Sequence, residues 1–196
     1  YVTSVKPAYT KILTTYTYDN AGNKLTETTN NQLTEWKYDA QGRITDVYDA
    51  KRNNIHYEYD DADNKKLERN RRNFVTTFYY SDANDLEKIV EPLGKITNYS
   101  HDEVGNVKTM KNPREYTFTY GYDMFNRRTS ILDPLDGVTE THFDYEGNKV
   151  YYKEPRTAET TYEYDKVNRL TYIRQPLGIT TKFQYDDAGN KTHITG

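Results

Sequence analysis

The sequence predicts an all-β protein, an antiparallel β-hairpin meander of nine repeats of about 21 residues that forms a curved strip. Three observations predict this class. An aromatic residue followed by a turn motif returns at a fixed interval along the chain. Aromatic residues flank each turn at a period of two, as in a strand. Only 34% of the residues are apolar, and 21 are tyrosine, so aromatic rings must supply most of the packed surface.

The repeat is defined by the aromatic position that precedes each turn, which we number zero. The interval between these positions is 20 residues once and 21 residues seven times. The nine repeats leave no room for a linker, so we expect one array over residues 1–196. The zero positions are Tyr18, Tyr38, Tyr59, Tyr80, His101, Tyr122, Phe143, Tyr164 and Tyr185.

The positions that follow zero have the chemistry of a tight turn. Position +1 is aspartate in eight of nine repeats, and position +4 is always Gly, Asn or Asp. These three residue types tolerate positive φ, and an aspartate can accept N–H groups of the turn. We therefore predict positive φ at every +4 position, including Asp63 and Asn84. The predicted structural turn residues are Asp19, Gly22, Asp39, Gly42, Asp102, Gly105, Asp123, Asn126, Asp144, Gly147, Asp165, Asn168, Asp186 and Gly189.

The strand before each turn carries an aromatic residue at position −2 in eight of nine repeats, and Thr141 is the exception. Positions zero and −2 must share one face of a strand. Glu35, Glu58, His142, Glu163 and Lys182 then belong to the opposite, polar face. The predicted aromatic ladder comprises Tyr16, Tyr18, Trp36, Tyr38, Tyr57, Tyr59, Tyr99, Tyr120, Tyr122, Phe143, Tyr162, Tyr164, Phe183 and Tyr185.

The returning strand is predicted by position +9, which is mostly apolar in the later repeats, as at Ile89, Met110, Ile131 and Ile173. We expect these side chains to fill the gaps between ladder rings. Proline recurs at position −9 in the later repeats and predicts a second turn. About eighteen strands should twist and curl, with the aromatic face concave and the terminal strands free to associate edge to edge.

Composition excludes several classes of function. The 27 basic and 30 acidic residues nearly balance, so we expect no nucleic-acid partner and no insertion into a membrane. Cysteine is absent, which excludes disulfides and thiolate metal sites. The chain begins with Tyr1 and carries no signal peptide or long apolar segment, so it is expected to be a piece of a longer protein.

Candidate catalytic and metal-binding residues do not form a motif. The four histidines occupy four different repeat positions, and His101 replaces a ladder tyrosine. Asp60, Asp61 and Asp63 could attract a cation, but they lack the spacing of a calcium loop, and solvated turn carboxylates are the simpler interpretation. The expectation is no catalytic, cofactor or metal site, and no enzyme activity.

The motif Tyr-Asp-x-x-Gly followed by Asn or Arg, with EPLG from Glu91, DPLDG from Asp133 and QPLG from Gln175, resembles the YD or Rhs repeat family. That family includes bacterial Rhs proteins, wall-associated toxins, the B and C subunits of Tc toxins, and teneurins. The resemblance implies a segment of a hollow β-shell in a large secreted or cell-surface protein. The regular, cysteine-free repeats favour a bacterial origin. The resemblance also implies two partners, the other repeats of the parent chain and an enclosed C-terminal domain. The chain lacks the Rhs-core segment and a toxin sequence, and DPLDG is interpreted as an ordinary turn.

Three functions of different class remain open from the sequence. The first is a structural segment of a shell that encapsulates or displays a toxin or effector domain. The second is a carbohydrate- or receptor-binding surface, because aromatic stripes can stack on sugar rings and a less regular stretch would hold the site. The third is an enzyme, which the uniformity of the repeats disfavours because a site normally breaks a pattern.

Overall fold

The computed structural model describes residues 14–196, so the part of the predicted array on residues 1–13 lies outside the described residues. Contacts divide the chain into two units, Tyr1–Ile96 and Thr97–Gly196. Each unit is built only from β-hairpins, and each is described by itself.

The first unit contains eight strands and one short helical turn. The turn is a single 3-10 turn at Pro92–Gly94. The strands are β1 (Thr14–Tyr18), β2 (Lys24–Thr29), β3 (Gln32–Tyr38), β4 (Ile44–Tyr48), β5 (Asn54–Tyr59), β6 (Lys65–Arg69), β7 (Val75–Tyr80) and β8 (Leu86–Glu91).

The second unit contains the strands that follow β8, joined again by tight turns, and the first two residues of the strand after β8 fall in the first unit. A second 3-10 turn lies at Pro176–Gly178. The strands are β9 (Lys95–His101), β10 (Val107–Lys111), β11 (Thr117–Tyr122), β12 (Arg128–Leu132), β13 (Val138–Phe143), β14 (Lys149–Lys153), β15 (Thr160–Tyr164), β16 (Leu170–Arg174), β17 (Thr180–Tyr185) and β18 (Lys191–Thr195).

Within each unit every strand pairs antiparallel with the strand next to it in the sequence. The predicted antiparallel hairpin meander is therefore confirmed. Neither 3-10 turn is longer than three residues, and no helix among residues 14–196 is long and apolar enough to cross a membrane. The curvature of the strip, and which face is concave, stay predictions.

Each hairpin contains a β-bulge beside the aromatic at position zero. Lys37 pairs with Asp46, whereas Tyr38 pairs with Ile44, so Thr45 is an extra residue in the returning strand. The same shift occurs in all nine repeats, for example between Glu163 and Tyr164. A bulge ends regular pairing and increases the local twist of a hairpin. The sequence analysis did not predict this feature.

The register shows which repeat positions share a face. Tyr99 pairs directly with Met110, and Tyr162 pairs with Ile173, so positions −2 and +9 share a face. The rings of Tyr16 and Tyr18 lie 6.4 Å apart between centroids on that face. We call this the aromatic face and the opposite one the polar face.

The sheet has no conventional hydrophobic core in the described part of the chain. No side chain there is fully buried, and most strand residues are half-buried. This follows from a single layer of hairpins, in which both faces meet solvent. Packing therefore comes from neighbours within the layer, and the links between repeats become important for stability.

Candidate functional site: the repeated turns and the aromatic face

The turn after each zero position has one left-handed residue. The five glycines at position +4 have φ between 80° and 93°, and the four Asn or Asp residues have φ between 60° and 67°. All nine +4 residues therefore have the positive φ that the sequence predicts. The nine are Gly22, Gly42, Asp63, Asn84, Gly105, Asn126, Gly147, Asn168 and Gly189.

The aspartate at position +1 holds the turn closed. In the second repeat, Asp39 Oδ1 accepts the backbone N–H groups of Gln41 (3.0 Å) and Arg43 (2.9 Å). Asp39 Oδ2 accepts the Arg43 Nε–H at 2.7 Å. Each carboxylate thus satisfies several donors that would otherwise face solvent at the hairpin tip.

These hydrogen bonds favour the charged form of the aspartates. The Asn23 side-chain amide lowers the pKa of Asp19, with further help from backbone N–H groups. The Asn106 amide lowers the pKa of Asp102 in the same way. The pKa of Asp165 is lowered first by the backbone N–H of Arg169 and then by its guanidinium.

Position +5 joins six of the turns to the turn that follows. Where it is asparagine and the +4 residue of the following repeat is also asparagine, the amide donates to that residue, as in Asn106 to Asn126 Oδ1 at 2.9 Å and Asn148 to Asn168 Oδ1 at 3.1 Å. Where it is arginine, Nη1 reaches a backbone carbonyl instead, as in Arg127 to the Asp144 carbonyl at 3.0 Å. These bonds connect all five hairpin tips of the second unit, and the second to fourth tips of the first unit.

Ladder tyrosines make a second link between repeats. The Tyr59 hydroxyl donates to the Ile44 carbonyl at 2.9 Å, and the Tyr185 hydroxyl donates to the Leu170 carbonyl at 2.9 Å. Each acceptor is the +6 carbonyl of the preceding repeat, beside the β-bulge where strand pairing has ended. The other bonds of this kind are made by Tyr38, Tyr80, Tyr122 and Tyr164.

The aromatic face differs from the predicted aromatic and aliphatic ladder in one respect, because cations also lie between the rings. Lys24 Nζ is 4.1 Å from the Trp36 ring centroid, and Lys149 Nζ is 4.7 Å from that of Tyr162. The Arg43 guanidinium lies 4.6 Å from the Tyr59 centroid. Cation–π contacts of this kind are favourable. The recurrence of Lys or Arg at positions +5 and +6 was the signal that the sequence analysis missed.

The second turn of each repeat departs from the simple expectation for proline followed by glycine. Gly94 and Gly178 have positive φ, but so do Leu93 (67°) and Leu177 (63°). The two leucine side chains are 92% and 98% exposed. A left-handed leucine is rare, and the Pro-Leu-Gly composition alone did not predict it.

The other candidate residues are engaged in the turns or lie apart. Asp60 accepts turn N–H groups, and Asp63 Oδ1 contacts Arg43 Nη1 at 2.5 Å. Asp133 accepts the N–H groups of Leu135 and Gly137, so DPLDG is a closed turn. Across residues 14–196 no three His, Asp or Glu side chains gather as metal ligands would.

The strain at position +4 leads to a first testable prediction. Replacing Gly147 by valine should lower the free energy of unfolding by about 1–2 kcal/mol, measured by urea denaturation, because φ is 93° there. A Cβ at this position would be 3.7 Å from the nearest atom, Arg127 Nη1, so strain and not collision is the cause. Gly147→Asn is the control and should cost less, since Asn126 adopts φ of 60° at the same position. Equal losses for both variants would contradict this explanation.

The repeated hairpins, connected at their tips and through their tyrosines, define a structural repeat protein of the all-β class. The chain belongs to the teneurin YD-shell family, whose model matches residues 9–195. The family predicted from the turn motif is therefore confirmed. A comparison with curated protein sequences finds no significant match.

Solved structures show the same fold. A crystal structure of TcdB2-TccC3-Cdc42 matches 93% of this chain with a TM-score of 0.67 and 18% identity. The Tc holotoxin pore of Photorhabdus luminescens matches 92% with a TM-score of 0.62 and 15% identity. This chain spans only 12% and 13% of the length of those two chains. At such identities the likeness concerns the fold alone.

Proposed function

We propose that this chain is a segment of the wall of a β-shell, in a large secreted or cell-surface protein, that encloses or displays a toxin or effector domain. Membership of the teneurin YD-shell family supports a structural part in a shell. The observation that carries the proposal is the regular set of links between neighbouring repeats within each unit, made by turns and tyrosines.

A wall must resist separation of its strands, and the geometry provides this at two places. Arg127 fixes its own turn through Asp123 Oδ2 at 2.7 Å and the next turn through the Asp144 carbonyl at 3.0 Å. On the aromatic face, the Tyr122 hydroxyl is bonded to the Val107 carbonyl at 3.0 Å. The partners in this proposal are the other repeats of the parent chain and the enclosed domain, and no catalysis is assigned to the wall.

Electron cryomicroscopy of the complete protein that contains this segment tests the proposal. We expect the segment in the wall of a closed compartment, with one face lining the interior and density for another domain inside. A segment that stands away from any compartment, with both faces in solvent, would contradict it. Limited proteolysis gives a second readout, since an enclosed domain should resist cleavage until the shell is unfolded.

Carbohydrate or receptor binding at the surface is a second candidate, and one observation favours it. Phe125 and Tyr145 lie on adjacent hairpin tips with ring centroids 5.9 Å apart, and they are 49% and 86% exposed. Exposed aromatic pairs of this kind can serve as contact sites. Glycan-array binding that is lost in the Phe125→Ala and Tyr145→Ala variants would support it, and an array with no signal would exclude it.

Edge-to-edge association of two copies is a further proposal. An unpaired strand edge presents free N–H and C=O groups to another chain. Analytical ultracentrifugation over a range of concentrations should show reversible dimers of this chain. A constant monomer mass at all concentrations would contradict association without affecting the shell proposal.

A further inference from the structure

One place in the second unit breaks the repeat pattern of the aromatic face. Position −2 is aromatic in every other repeat but is Thr141 in the seventh. A cavity of about 390 Å³ lies there. Its walls include the rings of Phe143 and Tyr152, the guanidinium-bearing side chain of Arg128, and Thr139.

Arg128 has no aromatic ring at the place where lysines at the same repeat position contact one. Position +6 is Lys24 in the first repeat, and its Nζ lies 4.1 Å from the centroid of the next −2 ring, Trp36. The same contact joins Lys65 to Phe78 at 4.8 Å. The next −2 residue after Arg128 is Thr141, so the guanidinium has no ring on that side and lies 5.5 Å from Tyr120.

Among the described residues, Arg128 also has no carboxylate partner, whereas two lysines at the same repeat position each have one. Lys24 pairs with Glu27 at 2.8 Å, and Lys65 pairs with Glu68 at 2.7 Å, both at position +9. In the sixth repeat position +9 is Ile131, which also lines the cavity. Within the described chain, Arg128 makes no ion pair with any carboxylate.

The remaining walls fit a ring with polar substituents. Thr141 pairs directly with Tyr152, whose ring is held by a hydrogen bond from its hydroxyl to Glu154 Oε1 at 3.0 Å. Lys149 Nζ lies 4.9 Å from the Tyr152 centroid and adds a second positive charge beside the cavity. The hydroxyls of Thr139 and Thr141 can donate or accept hydrogen bonds. No carboxylate is among the described residues that line the cavity, and the nearby Glu154 Oε1 already accepts the Tyr152 hydroxyl.

We propose that this cavity binds a small ligand that carries a carboxylate on a six-membered ring, with the ring in the place of the missing −2 side chain and the carboxylate on Arg128. The guanidinium fork matches a carboxylate bidentately. The ring packs between Phe143 and Tyr152, and the volume is typical of a small-molecule site. An acidic sugar and an aromatic carboxylate share this chemistry. The proposal does not rest on the shell function.

Nuclear magnetic resonance titration of the whole chain with glucuronate, benzoate and glucose tests this site. We expect shifts at Thr139, Thr141 and Phe143 with glucuronate or benzoate and none with glucose. Glucuronate alone would identify an acidic sugar, and benzoate alone an aromatic carboxylate. Shifts with neither carboxylate, or equal shifts with glucose, would overturn the proposal.

Three variants make the test specific. Arg128→Gln should weaken carboxylate binding about tenfold or more, since one charge-assisted interaction of about 1.4 kcal/mol corresponds to that factor. Thr141→Tyr should abolish binding by restoring the ring, while the fold is preserved. Lys182→Gln removes a positive charge from the polar face and should leave binding unchanged. Equal weakening by Lys182→Gln and Arg128→Gln would show a nonspecific charge effect and contradict the site.

Discussion

Replacing Tyr59 by alanine is expected to lower the free energy of unfolding by about 2–3 kcal/mol, which is at or below the lower limit for a buried aromatic side chain because this ring is only half-buried. The variant loses the hydroxyl bond to the Ile44 carbonyl and the contact of the ring with Arg43. Partial burial of the phenol raises the pKa of Tyr59. Urea denaturation followed by circular dichroism measures the change.

Two variants that add or remove a single oxygen atom distinguish the contribution of the hydroxyl to stability from that of the ring. Tyr59→Phe removes only the bond to Ile44 and should cost about 1 kcal/mol. Phe143 is the natural counterpart, a zero position without a hydroxyl but with the Arg127 guanidinium 4.7 Å from its centroid. Phe143→Tyr should therefore stabilise the protein by up to about 1 kcal/mol. If Tyr59→Phe and Phe143→Tyr both lowered the free energy of unfolding, the hydroxyl would not be the group that links neighbouring repeats.

Acid should destabilise the fold strongly, because many equivalent carboxylates titrate together. The pKa values of the +1 aspartates are lowered below the ordinary value of 3.8. A lowered pKa in the folded state means that the stabilisation is complete above the unfolded pKa and is lost as pH falls through the folded one. The temperature of unfolding should thus be constant above about pH 5 and fall steeply below about pH 4.

Asparagine at position +1 offers a matched control for the acid prediction. Asn70 Oδ1 already accepts the N–H groups of Arg72 and Phe74 in another turn, so an amide can close such a turn. The double variant Asp102→Asn with Asp144→Asn keeps the Oδ1 acceptor of the turn N–H groups, loses the Oδ2 acceptor of the Asn106 and Asn148 amides, and cannot titrate. Its unfolding temperature should fall less steeply with acid than that of the unchanged protein. An identical slope would mean that the turn carboxylates are not responsible.

The repeat and its turns could be predicted because local chemistry determines them. A left-handed turn residue favours Gly, Asn or Asp at position +4, and the aspartate at +1 accepts the N–H groups of the turn. The +4 residues from Gly22 to Gly189 all have positive φ. The faces follow from the period of two. These features need no knowledge of any contact distant in the sequence.

The links between repeats were harder to predict because they depend on register. The bulge at Thr45 shifts the register by one residue, and the Ile44 carbonyl beside it accepts the Tyr59 hydroxyl. Likewise, the sequence shows Thr141 as an exception on one strand. Its meaning depends on Arg128 and Tyr152, which lie on the neighbouring strands.

Hydrogen exchange of backbone amides in the intact chain tests the central claim, that regular hairpins are locked repeat to repeat, most directly. The account predicts protection that recurs with the repeat and extends into the tips, at Gln41 and Arg43 and at Phe125 and Arg127, whose N–H groups bind Asp39 and Asp123. Tyr59→Phe should lower protection around Ile44 more than around Leu170. Amides at the hairpin tips that exchange as fast as those of free peptides would contradict regular links between repeats. Protection that does not recur with the repeat would contradict them as well.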